Sequence, residues 1–305
     1  MAVRDSGVDG VDLVILPPSR DLGDGFTVRR ALPQPQRRMV GPFVFFDQMG
    51  PVTLSPGTGL DVRPHPHIGL ATITYLFDGE IMHRDSLGSV QPIRPGEVNW
   101  MTAGRGIVHS ERSPDGSRAA GPSLFGLQLW VALPAAHEET DPAFVHHDAG
   151  DIPEGRFDGA TVRQIVGATD GLASPVATLS DMIYIDIAIA PGGRYRVPGD
   201  QIERAFYLVA GGVTVDGQSF GPSELVVLKP HAEIVLESEQ GAQLVIVGGE
   251  PFPEPRYVNW NFVSSRPDRI EQARADWRAQ RFPAVPDEHE FIPLPADPPP
   301  PVRYP

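Results

Sequence analysis

Apolar residues along this chain fall in short runs separated by glycine, proline and Asp-Gly turns, a spacing that predicts strands rather than long helices. Residues 11–16, 42–49, 68–77, 81–85, 98–101 and 123–133 form a first set of strand-like segments. Residues 183–190, 205–209, 213–215, 224–228, 233–236 and 243–247 form a second set with a similar rhythm, which points to an internal duplication. The Asp78-Gly79 pair predicts a hairpin joining 68–77 to 81–85. One helical stripe stands out near the end. Ser265-x-x-Asp268, with Pro267 in the first turn, opens it, and Ile270, Ala273 and Trp277 recur at helical spacing to about Arg281.

These patterns divide the chain into a first β-rich domain over 1–135, a polar connector over 136–160, a second β-rich domain over 161–250, and a linker, helix and Pro-rich tail over 251–305. The connector carries His146-His147-Asp148, whose adjacent histidines face opposite ways on a strand, so the stretch reads as surface.

Composition narrows the function. The formal net charge is −14, and an acidic surface of that size repels phosphate backbones, which argues against direct nucleic-acid binding. Cysteine is absent, so there is no disulfide framework, thiolate metal site or cysteine nucleophile. The first residues, Met-Ala-Val-Arg-Asp-Ser, are too polar for a signal peptide, and no apolar run is long enough for a membrane span. The expectation is a cytoplasmic protein with no membrane association.

Candidate chemistry concentrates between Gly59 and Glu111. His65 and His67 are two apart, as are His109 and Glu111, and residues at i and i+2 of a strand share a face. Three imidazoles and a carboxylate aimed at one point suit a first-row transition metal and leave positions open for chemistry. An isolated His-x-His is more often an ordinary strand edge; it is the two pairs together that favour a metal. His83-Arg84-Asp85 has no kinase context, and His83 reads as a locally hydrogen-bonded strand residue. Gly104-Arg105-Gly106 has no helix after it and reads as a tight turn that delivers His109 and Glu111. His231 stands alone, so the second domain is expected to hold no metal.

Several motifs resemble a known family. Gly59-x5-His65-x-His67, then Pro95-Gly96 and His109, are similar to the two cupin signatures. Asn99-Trp-Met-Thr-Ala-Gly-Arg-Gly-Ile-Val-His-Ser-Glu111, Arg63-Pro-His-Pro-His67 and Gly41-Pro-Phe-Val-Phe-Phe-Asp47 resemble the pirin family, as do Trp260-Asn-Phe-Val-Ser-Ser265 and Glu290-Phe-Ile-Pro-Leu-Pro295. The resemblance runs from about Arg29 to the C-terminus. It implies an all-β protein: two cupin-type jelly-roll barrels in tandem with a short C-terminal helix. It further implies Fe(II) held by His65, His67, His109 and Glu111 in the first barrel, although manganese, nickel or zinc would accept the same ligands.

The activity implied is a quercetin 2,3-dioxygenase type of flavonol cleavage with O2 and release of carbon monoxide. Glu111 is the candidate catalytic carboxylate, and Phe43, Phe45, Phe46 and Trp100 are candidate pocket walls for a small aromatic substrate. The alternative implied by the family is a metal-dependent regulator that binds a protein partner, a transcription factor or a metabolic enzyme, without catalysis. In one respect the sequence departs from the cupin pattern. The glutamate expected four residues after the second histidine is replaced by Ala71, which removes a candidate proton acceptor.

Overall fold

The computed structural model of the protein describes residues 2–4, 7–21, 27–296 and 300–305. Its contacts form two compact units whose sequence ranges interleave: Met1–Ser19, Arg29–Phe43 and Gly150–Phe252 make one, and Arg20–Val28, Val44–Ala149 and Pro253–Pro305 the other. Both are built from antiparallel sheets packed around an apolar core, the jelly-roll arrangement that the family resemblance implies.

The metal-motif unit contains the strands β1 (Phe43–Thr53), β2 (Asp61–His67), β3 (Leu70–Gly79), β4 (Ile81–Asp85), β5 (Val90–Ile93), β6 (Val98–Thr102), β7 (Ile107–Arg112), β8 (Ser123–Ala132) and β9 (Ala143–His147). One sheet has neighbouring strands in the order β9-β6-β3-β8-β1 and the other the order β2-β7-β4-β5. The predicted hairpin at Asp78-Gly79 does not form, because β3 and β4 belong to different sheets. Gly79, at a φ of 89°, lets the chain leave one sheet for the other, and β4 then pairs with β5 and β7. The turn at Gly69 has a similar constraint. Its φ is 66°, and a Cβ there would lie 2.0 Å from the Val263 carbonyl oxygen. Only glycine lets β2 turn into β3 against that backbone.

Two segments lie elsewhere than the sequence suggests. The strand Val11–Leu16 joins the sheet of the other unit by pairing with Leu225–Leu228, and it buries Val11 and Val14 in that unit's core rather than leading into the first barrel. The expected connector supplies β9, which pairs with β6. It also supplies Glu138, which is buried and accepts hydrogen bonds from the Ser265 amide at 2.6 Å and from the Ser264 and Ser265 hydroxyls. The fully buried Arg256 lies 3.3 Å from the same carboxylate and donates twice to the Leu133 carbonyl. This polar set is satisfied on all sides, as a buried ion pair must be. It fastens the residues after 253 onto the metal-motif unit.

Two α-helices are present among the described residues. The six-residue α1 (Asp115–Ala120) has no apolar stripe and carries no signal in the sequence pattern. The expected C-terminal helix is α2 (Pro267–Arg278), which starts with proline in its first turn and ends a turn earlier than about Arg281. Its Ncap is Arg266, not Ser265, because the Ser265 hydroxyl is taken by Glu138. Ile270, Ala273 and Trp277 are buried together with Ile68, Val108 and Phe262. Trp277 Nε1 donates to the Ile292 carbonyl at 3.0 Å, so the buried indole has a partner for its polar atom. Trp277→Ala should therefore lower stability by about 3–5 kcal/mol. Denaturant melts with an unchanged midpoint would show that the ring contributes no packing.

Candidate metal centre

Strands β2 and β7 are antiparallel neighbours with His109 opposite His65, and the pleat turns His65, His67 and His109 to one side. The tight turn expected at 104–106 is present: Gly104 has a φ of 51°, and the Gly106 amide donates to the Ala103 carbonyl. The three rings pack with centroids 4.4 Å (His65–His109), 5.0 Å (His65–His67) and 5.0 Å (His67–His109) apart. One nitrogen from each lies within 4.8 Å of the others, and all three side chains are buried.

Burial in protein disfavours the charged form, so desolvation lowers the His65 pKa to about 4. Burial also holds His67 and His109 well below the usual imidazole value, and the neighbouring histidines add to the effect. The cluster is therefore three neutral imidazoles. His65 Nδ1 donates to the Arg63 carbonyl at 2.9 Å and His67 Nδ1 to the Asn261 carbonyl at 3.1 Å, which leaves both Nε2 atoms as lone-pair donors. His67 Nε2 faces His109 Nε2 at 3.1 Å, while the buried His109 Nδ1 has no hydrogen-bond partner among the described residues. Converging lone pairs and an orphaned ring nitrogen leave the protein-only arrangement unsatisfied. A divalent cation shared by the Nε2 atoms would take up the converging lone pairs, although not His109 Nδ1, so the donor set fits a metal.

Glu111 follows on β7 after a bulge and lies opposite His83 of β4. Its carboxylate accepts from the Thr74 hydroxyl at 3.4 Å and falls outside the tight three-imidazole group. Burial raises its pKa, with His83 and the Thr74 hydroxyl acting against that rise. His83 is bonded locally, as expected, donating Nε2–H to Asp85 Oδ2 at 3.0 Å. It is also part of the site. Its ring stacks on Phe144 at 4.3 Å and lies 5.3 Å from the His109 ring. Asp85 is fully buried. Burial alone would raise its pKa, but the bonds from His83 and Ser89 hold it below the usual carboxylate value.

The opposite sheet shows which pocket residues face this cluster. Thr74 reaches Glu111 and Gln128, so the side carrying Thr72, Thr74, Gln128 and Trp130 faces the cavity. Trp130 stands edge-on to His67 at 5.0 Å and stacks on Phe45 at 4.1 Å. Phe45 is thus beside the cluster. Trp100 is not: it pairs with Ile73, on the opposite face of the sheet from Thr74, and bonds to Thr102. Phe43 and Phe46 are fully buried, with Phe43 edge-on to Tyr184. Ala71 also faces away from Thr74, so a glutamate there would not reach the cavity; the cavity-facing position is Thr72. The turn through Ile68 and Gly69 shifts the alternation after His67, which counting from the motif does not reveal. Asn261 and Trp130 also belong to the site, through the carbonyl and the ring that contact His67. The Gln128-x-Trp130 alternation in an otherwise apolar strand is a signal for Trp130, whereas nothing in the sequence shows that a backbone carbonyl at 261 would orient His67.

Three outcomes are expected. First, removing any one of His65, His67, His109 or Glu111 should weaken metal binding about tenfold or more in chelator competition. His231→Ala, at an exposed turn, should leave binding unchanged. Full binding by Glu111→Gln would reduce the ligand set to the three imidazoles. Second, the unfolded chain takes a proton on His65 near pH 6.5 and the folded chain only near pH 4. Stability of the metal-free protein should therefore be full above about pH 6.5 and fall as the pH drops through that window. Thermal melts of His65→Gln should show a shallower decline. Third, Ala71→Glu should lower the melting temperature, because it places a carboxylate in a fully buried apolar position.

The Pirin family profile matches residues 25–131, and the profile of the Pirin C-terminal cupin domain matches 184–283. A pirin-like protein of Caulobacter vibrioides is 48% identical over 290 residues, covering 93% of this chain and 99% of the relative. Human pirin is 32% identical over 276 residues, covering 88% of this chain and 92% of its own. The crystal structure of a quercetin 2,3-dioxygenase from Acinetobacter baumannii superposes with a TM-score of 0.87 at 37% identity, over 95% of this chain and 96% of that one. With two cupin barrels in tandem, and motif and profile matches in both halves, the chain belongs to the pirin family.

Proposed function

We propose that this protein is a metal-dependent oxygenase of the quercetin 2,3-dioxygenase type. In this reading His65, His67, His109 and Glu111 hold Fe(II), with manganese, nickel or zinc as ions the same donors accept. The observation that carries the reading is the buried cluster of three neutral imidazoles beside the stacked Phe45–Trp130 pair. The likeness to the Acinetobacter quercetin 2,3-dioxygenase supports the same substrate class, a planar flavonol. When bound, the iron supplies Lewis-acid stabilisation of an ionised substrate hydroxyl and redox chemistry with O2.

The chain's own groups divide the remaining work. Phe45 and Trp130 offer a flat apolar wall for the substrate rings. The Arg63 and Asn261 carbonyls hold the His65 and His67 imidazoles in the ligand tautomer. With Ala71 turned away, His83 is the better candidate to accept the substrate's proton than Glu111, whose carboxylate belongs to the ligand set. A neutral His83 that gives its Nε2–H to Asp85 would offer the Nδ1 lone pair as the base, and the Leu87 and Ser89 amides fix Asp85 in turn.

The test is to load metal-free protein with Fe(II) under argon, admit oxygen, and follow loss of flavonol absorbance together with carbon monoxide release. Turnover above that of free Fe(II) is expected. His83→Gln should lower kcat by about 10²-fold or more with iron content unchanged, as for loss of a positioned base. Trp130→Ala should act mainly on KM. Absence of turnover above free Fe(II) at every pH would overturn the oxygenase reading and favour a metal-dependent protein-binding role.

A further inference from the structure

Outside this centre, one other group of potential metal-ligating side chains converges among the described residues. Glu97, just before β6, and His146 and Asp148, at the end of β9, present three donor atoms within 4.8 Å of one another. Strand pairing builds the arrangement, since His146 is the register partner of Asn99. His146 Nδ1 lies 2.7 Å from Asn99 Oδ1, and an amide oxygen only accepts, so Nδ1 carries the proton. Asn99 is buried, which fixes the ring and leaves Nε2 as its lone-pair donor. Nε2 then faces two carboxylates, Asp148 Oδ1 at 3.3 Å and Glu97 Oε2 at 3.9 Å. The Arg94 amide holds the same Glu97 oxygen in place at 2.7 Å.

These distances separate two ways of satisfying the cluster. A proton on Nε2 makes one short hydrogen bond, and 3.9 Å is beyond its reach. A tetrahedral zinc ion with ligands about 2.1 Å away sets its donor atoms about 3.4 Å apart. The observed separations of 3.3 and 3.9 Å bracket that spacing. An imidazole held by an amide oxygen on its other nitrogen is also the usual outer support of a metal ligand. Asp148 is 79% exposed while Glu97 and His146 are mostly shielded, so a bound ion would keep a side open to water.

We propose that Glu97, His146 and Asp148 form a second, surface site for a divalent first-row cation such as Zn²⁺, one that does not depend on the His65–His67–His109 centre. No local pattern in 136–160 marks the site, because Glu97 and His146 come together only when β9 pairs with β6.

Equilibrium dialysis against low-micromolar free Zn²⁺ at neutral pH, with zinc counted by elemental analysis, tests it. Unaltered protein should hold two zinc ions, and His146→Gln and Glu97→Gln should each hold one. The double variant His67→Gln/His109→Gln should also hold one, and its zinc-edge absorption should show a single imidazole among oxygen ligands. Adding His146→Gln to that double variant should remove the remaining ion. The proposal is overturned if unaltered protein holds one ion and the double variant none, or if both His146→Gln and Glu97→Gln still hold two. Those outcomes concern only this site and leave the flavonol assay untouched.

Discussion

Three imidazoles packed with ring centroids no more than 5.0 Å apart and shut off from water cannot remain protonated. Much of the first barrel's local structure is arranged around that constraint. Neutral imidazoles must still place their remaining N–H groups, and two do so on backbone carbonyls, at Arg63 and Asn261. Their other nitrogens are thereby turned inward as electron-pair donors. The third, His109, has nowhere to place Nδ1 among the described residues. What a cation would relieve is the meeting of Nε2 lone pairs, with His67 Nε2 only 3.1 Å from His109 Nε2 in a buried site.

The Asn261 carbonyl comes from beyond residue 253, so the geometry of the centre depends on how the C-terminal segment is held. Glu138 and Arg256 hold it. Both are buried, yet each has several partners: the Leu133 carbonyl for Arg256, and the Ser264 and Ser265 groups for Glu138. A buried ion pair adds little net stability against an apolar substitute, but it fixes one arrangement, because a misplaced partner would leave a bare charge. Here that arrangement places Asn261 against His67 and Val263 against the turn at Gly69.

Pleat parity decides the rest of the site. Strands β3 and β8 show the cluster one face, with Thr72, Thr74, Gln128 and Trp130, and turn Ala71 and Ile73 the other way. Two tryptophans of similar sequence character therefore have different surroundings: Trp130 stands over His67, and Trp100 faces away with Ile73. A substitution one position along a strand changes the opposite face of the sheet. The absence of the cupin glutamate at Ala71 thus says little about proton transfer here, and attention shifts to the His83–Asp85 pair.

Much of this was legible in the chain alone. Short apolar runs broken by Gly and Pro determine an all-β fold, because strand periodicity and turn chemistry are local. The i, i+2 spacing of His65 and His67, and of His109 and Glu111, places the candidate ligands, since same-face projection needs only a strand. Ile270, Ala273 and Trp277 mark the helix by the same kind of local rule. Other features depended on pairings between residues far apart in sequence, which no local pattern encodes. Val11–Leu16 joins the sheet of Leu225–Leu228, Glu138 clamps a segment more than a hundred residues away, and β4 leaves β3 for the opposite sheet. The facing of Ala71 and Trp100, the carbonyl of Asn261 and the meeting of Glu97 with His146 follow from those pairings. They were decided only when the tertiary structure set the register of each strand against its neighbours.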